Sequence, residues 1–376
     1  MKRKVNKTSV FHVIHYKNSG IITVVSSQVL FSTNENIFYK VIIFETDNQL
    51  EDKLKSKGIE CVTLGLNRYN YLKILFKYIS ILKENNPEII HTHSFLPRLF
   101  TAIVSKIFIF NRKHIISTFH NDYPYFSRSS LRDKIKRYLE CKSITATKAT
   151  LLCCSKQIEE RISKIYGLRE RVHLIHHGIP MKPLDYINRV EKVKTQNTIT
   201  AVSVGRLSNQ KNYSFLLNCW AEIVKKIPNV KLTLVGDGEE KQKLINLANI
   251  LGISKNVEIT GWQKNIYPYL ESANIFILSS IHEGFPTAIL EAANCGLPII
   301  TTDVSGVREI IENETSGLIV PINNREKMVE AIFKLIEDES LREILGRKAR
   351  EIVCSKFHVD NYLEKIESLY VNLTKQ

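Results

Sequence analysis

Two doubly wound α/β domains, each built on a parallel sheet, are the fold this sequence predicts. Short β-branched apolar runs alternate with stretches of helical period along the chain, the pattern of βαβ units. The alternation fails over one polar stretch and then restarts. The length of 376 residues suits two domains. Apolar residues make up 44% and charged residues 24%, the balance of an ordinary soluble globular chain, which excludes disorder or a fibrous repeat as the main description.

In the first half, strands are predicted at residues 9–15, 39–44, 59–64, 88–91, 114–118, 151–154 and 172–175, with a helix at 20–31 after the first. Residues 181–197 lack periodicity and are rich in Lys, Arg and Asn, so a linker belongs there. In the second half, strands are predicted at 198–204, 230–235, 257–260, 275–279, 297–301 and 317–320, with helices from 213, 239 and 286 and a helical remainder from 325. The expected organisation is a domain at 1–182, a linker at 183–197, a domain at 198–355 and a last helix at 356–376 packing back toward the first domain. Two such halves are expected to face one another across a cleft, with ligands outside the carboxyl ends of the strands.

Charge is unevenly shared. Residues 1–195 carry 33 Lys+Arg against 16 Asp+Glu, a net +17, while residues 196–376 carry 20 against 22, a net −2. The basic half calls for an anionic partner. Residues 71–83 and 131–140 interleave apolar, aromatic and basic side chains. They suit helices lying on an anionic membrane surface, although either alone also suits a core helix with a solvated face. No stretch reaches the ~18 apolar residues of a membrane span; the longest, 99–110, contains Lys106. The Met-Lys-Arg-Lys start resembles a signal peptide, but its apolar run is short and no small-residue cleavage site follows. The expected location is therefore cytoplasmic, peripheral at the inner face of the cell membrane. Seven scattered cysteines without a Cys-x-x-Cys pair read as buried thiols.

Two loops in the second half carry candidate chemistry. Gly205-Arg206-Leu207-Ser208-Asn209-Gln210-Lys211 joins a strand to a helix. Its guanidinium and ammonium suit a diphosphate and any charge developing on a leaving phosphate; the same loop read alone also suits a solvated basic surface. Ser279 to Ala293 contains Glu283, Gly284, Phe285, Pro286, Thr287 and Glu291. Gly284 permits a tight turn, Pro286 suits the first helical position, and the helix start offers free amides to an anion. Thr287 and Glu291, four apart, share a helix face within reach of ribose hydroxyls. Two exposed glutamates on a capped helix are the bland alternative. In the first half, Ser117-Thr118-Phe119-His120 ends a strand, where a cleft residue belongs, and a lone histidine there is otherwise structural.

These segments resemble the family-4 glycosyltransferases of the GT-B fold. Gly205-Arg206-Leu207 with Lys211-Asn212, Val235-Gly236-Asp237-Gly238, Glu283 with Glu291 eight positions on, and Cys295-Gly296-Leu297-Pro298 fall in the family's order, strongly over 200–322 and more loosely in the first half. The resemblance implies a retaining transferase that uses a nucleotide-diphosphate sugar, expected to be UDP-linked, to glycosylate a lipid-linked or glycan acceptor in bacterial surface polysaccharide. It implies Arg206 and Lys211 on the diphosphate, Glu291 on the ribose, Glu283 on the hexose and Phe285 to Thr287 lining the sugar-phosphate site. It places Gly261-Trp262 near the base and His120 at the sugar; His91-Thr92-His93 resembles a further segment that suits a core role equally. Ser19-Gly20 stands where the family carries two glycines, and Gly20 still permits close approach to the donor phosphates. No Asp-x-Asp occurs in the chain, so no metal and no cofactor are expected. A sugar-nucleotide epimerase or hydrolase is the rival enzyme; a non-catalytic sensor and a nucleic-acid-binding protein are weaker, and nucleic acid is not an expected partner.

Overall fold

The computed structural model describes residues 7–15, 20–46, 48–108, 113–121, 130–182 and 198–375. The chain forms two compact units, one of residues 1–178 with 359–376 and one of residues 179–358. The expected linker at 183–197 lies outside the described residues.

The first unit holds seven parallel strands in the order β3-β2-β1-β4-β5-β6-β7. They are β1 (Thr8–Ile14), β2 (Ile37–Ile43), β3 (Glu60–Thr63), β4 (Ile89–Thr92), β5 (His114–Phe119), β6 (Thr150–Cys153) and β7 (Val172–Leu174). Between them run α1 (Gly20–Phe31), α2 (Asn48–Lys55), α3 (Tyr71–Asn85), α4 (Phe95–Phe108), α5 (Leu131–Thr147) and α6 (Lys156–Tyr166). Continuous runs such as Val41-Ile42-Ile43, fully buried, are what a parallel sheet covered on both faces demands.

The second unit repeats the plan with six parallel strands in the order β10-β9-β8-β11-β12-β13. These are β8 (Ile199–Val204), β9 (Val230–Val235), β10 (Val257–Gly261), β11 (Ile275–Leu278), β12 (Ile299–Thr302) and β13 (Leu318–Val320). Its helices are α7 (Tyr213–Lys226), α8 (Lys241–Ile250), α9 (Tyr267–Ser272), α10 (Thr287–Asn294), α11 (Val307–Ile310), α12 (Arg325–Glu337) and α13 (Glu339–Lys356). In both sheets the strand order reverses beside the first strand of the unit, between β1 and β4 and between β8 and β11. Such a switch opens a crevice at the carboxyl ends of those strands, where doubly wound sheets bind ligands.

The helical remainder from 325 divides at two places. Asp338 caps α13 by accepting from the Leu341 amide, and Phe357-His358 separates α13 from α14 (Val359–Thr374), which belongs to the first unit. There Val359, Tyr362, Leu363, Ile366 and Tyr370 pack in the core formed by β1 and α1. Pro286, expected at the first helical position, is instead the residue before α10, with extended backbone; helix ends shift by a residue in this way.

Candidate active site

The second unit's switch point is built from backbone approaching backbone. The Gly205 amide donates to Val235 O at 3.0 Å, the Leu207 amide to Asp237 O at 2.9 Å and the Glu240 amide to Leu207 O at 3.0 Å. A Cβ on Gly236 would stand 1.9 Å from Gly205 O, and one on Gly238 would stand 2.3 Å from Leu207 O. Only glycine lets the two loops touch, and that contact fixes where the Arg206–Lys211 loop points. The loop then closes onto the end of β11: the Ile281 amide donates to Gln210 O at 2.9 Å and Ser279 Oγ to Lys211 O at 2.8 Å.

This brings Lys211 and Glu283 together. Lys211 Nζ lies 2.6 Å from Glu283 Oε1. Ser280 Oγ donates to the same oxygen at 2.6 Å, and Gln210 Nε2 donates to His282 O at 2.9 Å. Glu283 is only 7% exposed, so its carboxyl oxygens are satisfied by protein partners rather than by water. An ammonium has three donors, and one of those on Lys211 goes to Glu283, so the same head can also serve an anion. Arg206 stands at the loop's outer end, exposed, with Nε donating to Glu239 at 3.0 Å. An exposed pair of this kind holds the side chain only weakly. Glu239, Gln210 and Ser280 were missed in the sequence because nothing in their spacing marks them; only the fold makes them neighbours.

The glutamate helix is not an exposed, capped one. No side chain caps α10 at Pro286, so its first amides stay open to a ligand. Glu291 is partly buried, and burial raises its carboxyl to about 7 despite the nearby Lys211 charge. The turn before the helix is pinned from behind: Gly306, at φ +79°, packs so closely that a Cβ would lie 2.8 Å from Gly284 O. Phe285 is buried against Phe357, ring centroids 5.4 Å apart. Gly261, at φ +75°, turns beside the Lys241–Asp237 pair, and Trp262 next to it is 57% exposed. The structure thus gathers Gly205, Lys211, Glu283, Gly284 and Pro286 at one switch point.

The first unit holds the remaining candidates. His120 follows β5; both of its ring nitrogens are hydrogen bonded, Nε2 to His93 Nδ1 at 2.8 Å and Nδ1 to His177 Nε2 at 3.1 Å. Burial, helped by His177 and Arg98, holds it well below the usual histidine range. His91 bonds Tyr370 OH at 2.7 Å and Thr118 Oγ1 at 2.6 Å, so its role is in the buried core. His12, His91 and His93 offer nitrogens within 4.8 Å of one another, but hydrogen bonds already occupy both nitrogens of His91 and of His93. Gly20 opens α1; Ser19 beside it lies outside the described residues.

Residues 36–182 match the family described as Glycosyltransferase Family 4, and residues 186–352 match Glycosyl transferases group 1. The chain is 24% identical over 390 residues to the UDP-Gal:alpha-D-GlcNAc-diphosphoundecaprenol alpha-1,3-galactosyltransferase of Escherichia coli, covering 99% of each chain. It is 26% identical to the N-acetyl-alpha-D-glucosaminyl L-malate synthase of Bacillus anthracis, over 81% of this chain and 80% of that one. Among solved structures, Anabaena HepE in complex with UDP and glucose shares the fold with a TM-score of 0.82 at 18% identity, covering 96% of this chain and 99% of the other.

Proposed function

The chain belongs to the family-4 glycosyltransferases of the GT-B fold, and from that premise we propose that it moves a hexose or N-acetylhexosamine from a UDP-sugar to a lipid-linked or glycan acceptor of bacterial surface polysaccharide, with retention at the anomeric carbon. The Lys211–Glu283 contact at the β8/β11 switch point carries this reading. A cation suited to phosphate and a carboxylate suited to sugar hydroxyls share one hydrogen bond beside the uncapped start of α10. The galactosyltransferase named above acts on an undecaprenol-linked acceptor, as does an N-acetylgalactosaminyltransferase of Campylobacter jejuni that is 22% identical over 67% of this chain; both support the acceptor class.

In this reading Arg206, Lys211 and the open amides of Thr287 and Ala288 grip the donor diphosphate. Glu291 takes the ribose, Glu283 the hexose hydroxyls, and Phe285 with Pro286 shapes the sugar-phosphate site. As the glycosidic bond breaks, negative charge gathers on the leaving phosphate, where fixed cations lower the barrier. That phosphate can accept the acceptor's proton on the same face, so no protein nucleophile is assigned. The chain carries no Asp-x-Asp to hold a divalent ion, so we assign neutralisation to the protein's own cations. We also propose that the basic first unit meets anionic lipid at the inner face of the cell membrane.

Transfer from UDP-, GDP- and ADP-sugars to a polyprenyl-diphosphate acceptor, with and without EDTA, tests the proposal. Arg206→Ala and Lys211→Ala should each lower kcat by ~10²-fold, and EDTA should leave the rate unchanged. Wild-type turnover in both variants would remove the assigned site. Rapid epimerisation or hydrolysis of donor alone, without transfer, would move the chain to the rival enzyme class.

A further inference from the structure

In the first unit, β5 outruns its neighbour. β4 stops at Thr92, the register partner of Ser117, so Thr118 and Phe119 are paired by β6 but not by β4. The His114 amide donates to Glu88 O at 2.9 Å, and by the alternation of a strand Thr118 also turns its backbone toward β4. Its carbonyl, past the end of that ladder, still needs a donor where water is excluded. Arg98, in the first turn of α4, supplies one. Arg98 Nη2 donates to Thr118 O at 2.6 Å, and the guanidinium lies 4.0 Å from the centroid of the Phe119 ring. Arg98 Nη1 donates to Glu140 on α5. Arg98 is 2% exposed and Glu140 0%.

Stability alone is a poor reason for such a pair. Two charges cost so much to take out of water that well-packed apolar side chains of similar size commonly hold a fold as well or better. What apolar side chains cannot supply is a donor for Thr118 O. The guanidinium fork reaches Glu140 and the strand at once. Side chains alternate across a sheet, so Thr118 Oγ1 lies on the face opposite Phe119. There His91 bonds it at 2.6 Å and bonds Tyr370 OH at 2.7 Å. The last two residues of β5 are thus gripped from both faces. His120 comes next, and its ring joins a file of four imidazoles. His12 Nδ1 bonds His93 Nε2 at 2.9 Å, His93 Nδ1 bonds His120 Nε2 at 2.8 Å, and His120 Nδ1 bonds His177 Nε2 at 3.1 Å. The file fixes the ring, and the ion pair fixes the backbone that carries it.

We propose that Arg98 and Glu140 are positioning residues for the acceptor reaction: the Arg98 fork holds the end of β5 where its ladder with β4 has stopped, Glu140 holds the fork, and His120 is thereby presented at the carboxyl edge of the sheet. The inference rests on the proposed function, in which His120 lies on the acceptor side. Both residues act through His120, and neither is a catalytic residue.

The test uses full-length protein assayed with a UDP-sugar and a polyprenyl-diphosphate acceptor. Arg98→Met leaves Glu140 buried without its cation and should lower the Tm; adding Glu140→Leu removes both charges and should restore it. The double variant should keep the KM for UDP-sugar yet lose acceptor kcat/KM by about tenfold, because a small displacement of a positioned group costs at least that much. Its amide exchange over residues 117–120 should quicken by about tenfold while β4 stays protected. A double variant with restored Tm and wild-type acceptor kcat/KM would make the pair merely structural and overturn the proposal. A rise in the KM for UDP-sugar that matches the acceptor loss would overturn it too. If the double variant does not fold, Arg98→Lys decides: it keeps a charge for Glu140 but loses the fork. It should show the same acceptor loss and the same quickened exchange, and wild-type values of both would overturn the proposal. Absence of transfer by the wild type from every nucleotide sugar would instead defeat the proposed function, and exchange over 117–120 would still decide whether the pair holds the strand end.

Discussion

Among the residues assigned to the donor, Glu291 is the one whose environment shifts its acidity. Its carboxyl, raised to about 7 by burial, sits beside an ammonium that offsets only part of that cost. A group raised in the folded state opposes folding once it must ionise. The penalty is full above pH 7, shrinks as pH falls and vanishes below about 4.5, where the unfolded carboxyl is also protonated. Glu291→Gln keeps the shape and removes the charge. It should raise the Tm of the second unit at pH 8, with the gain shrinking toward pH 4.5, and calorimetry across that range checks it. The same variant should weaken UDP binding, because an amide replaces the carboxylate assigned to the ribose.

At the scale of elements, α3 and α5 do two things at once. The inner face of α3 buries Ile74, Tyr78, Ile79 and Leu82, while Tyr71, Leu72 and Phe76, the last 68% exposed, turn outward among lysines. On α5, Leu131, Ile135 and Tyr138 stand outward at helical spacing among Arg132, Lys134, Lys136 and Arg137, with Leu131 at 74% exposure. A core helix with a solvated face would keep such side chains inward, so these outward faces fit the headgroup and acyl boundary of an anionic bilayer. The protein should float with vesicles containing 30% phosphatidylglycerol and not with pure phosphatidylcholine. Changing Leu72, Phe76, Leu131 and Ile135 together to Ser should abolish flotation while leaving UDP binding intact; flotation unchanged by the substitutions would remove these helices from the proposed contact.

Across the whole molecule, the two units answer pH in opposite directions. The first keeps five buried histidines neutral: burial lowers His12 and His177 to about 3 and holds His91, His93 and His120 well below 6.5. The unfolded chain takes up protons at these sites below about pH 6.5, so stability is whole above that pH and is lost as pH falls toward 3. One pH unit below 6.5, each buried histidine costs about 1 kcal/mol. The second unit gains over part of the same range through Glu291. Calorimetry at pH 8 and at pH 5.5 should therefore show the first unit's transition falling relative to the second's; two transitions that move together would contradict this.

The sequence by itself determined the α/β class, the order of the strands along the chain and the loops to which donor binding is assigned. These are local matters. Alternation of period, a glycine where a turn must tighten, Arg206 with Lys211 in one loop, and Glu283 with Glu291 eight positions on are each written within a short stretch of sequence. Tertiary structure alone decided the rest. The 2.6 Å contact of Lys211 with Glu283 joins residues 72 positions apart. The bond from Tyr370 to His91 spans 279 positions within the first unit. The file of four histidines draws on the segments containing β1, β4, β5 and β7, none of which signals it by spacing. Strand order in the sheet, and not order in the chain, decides which side chains meet, and a buried imidazole takes its hydrogen-bond partners and its charge from that setting.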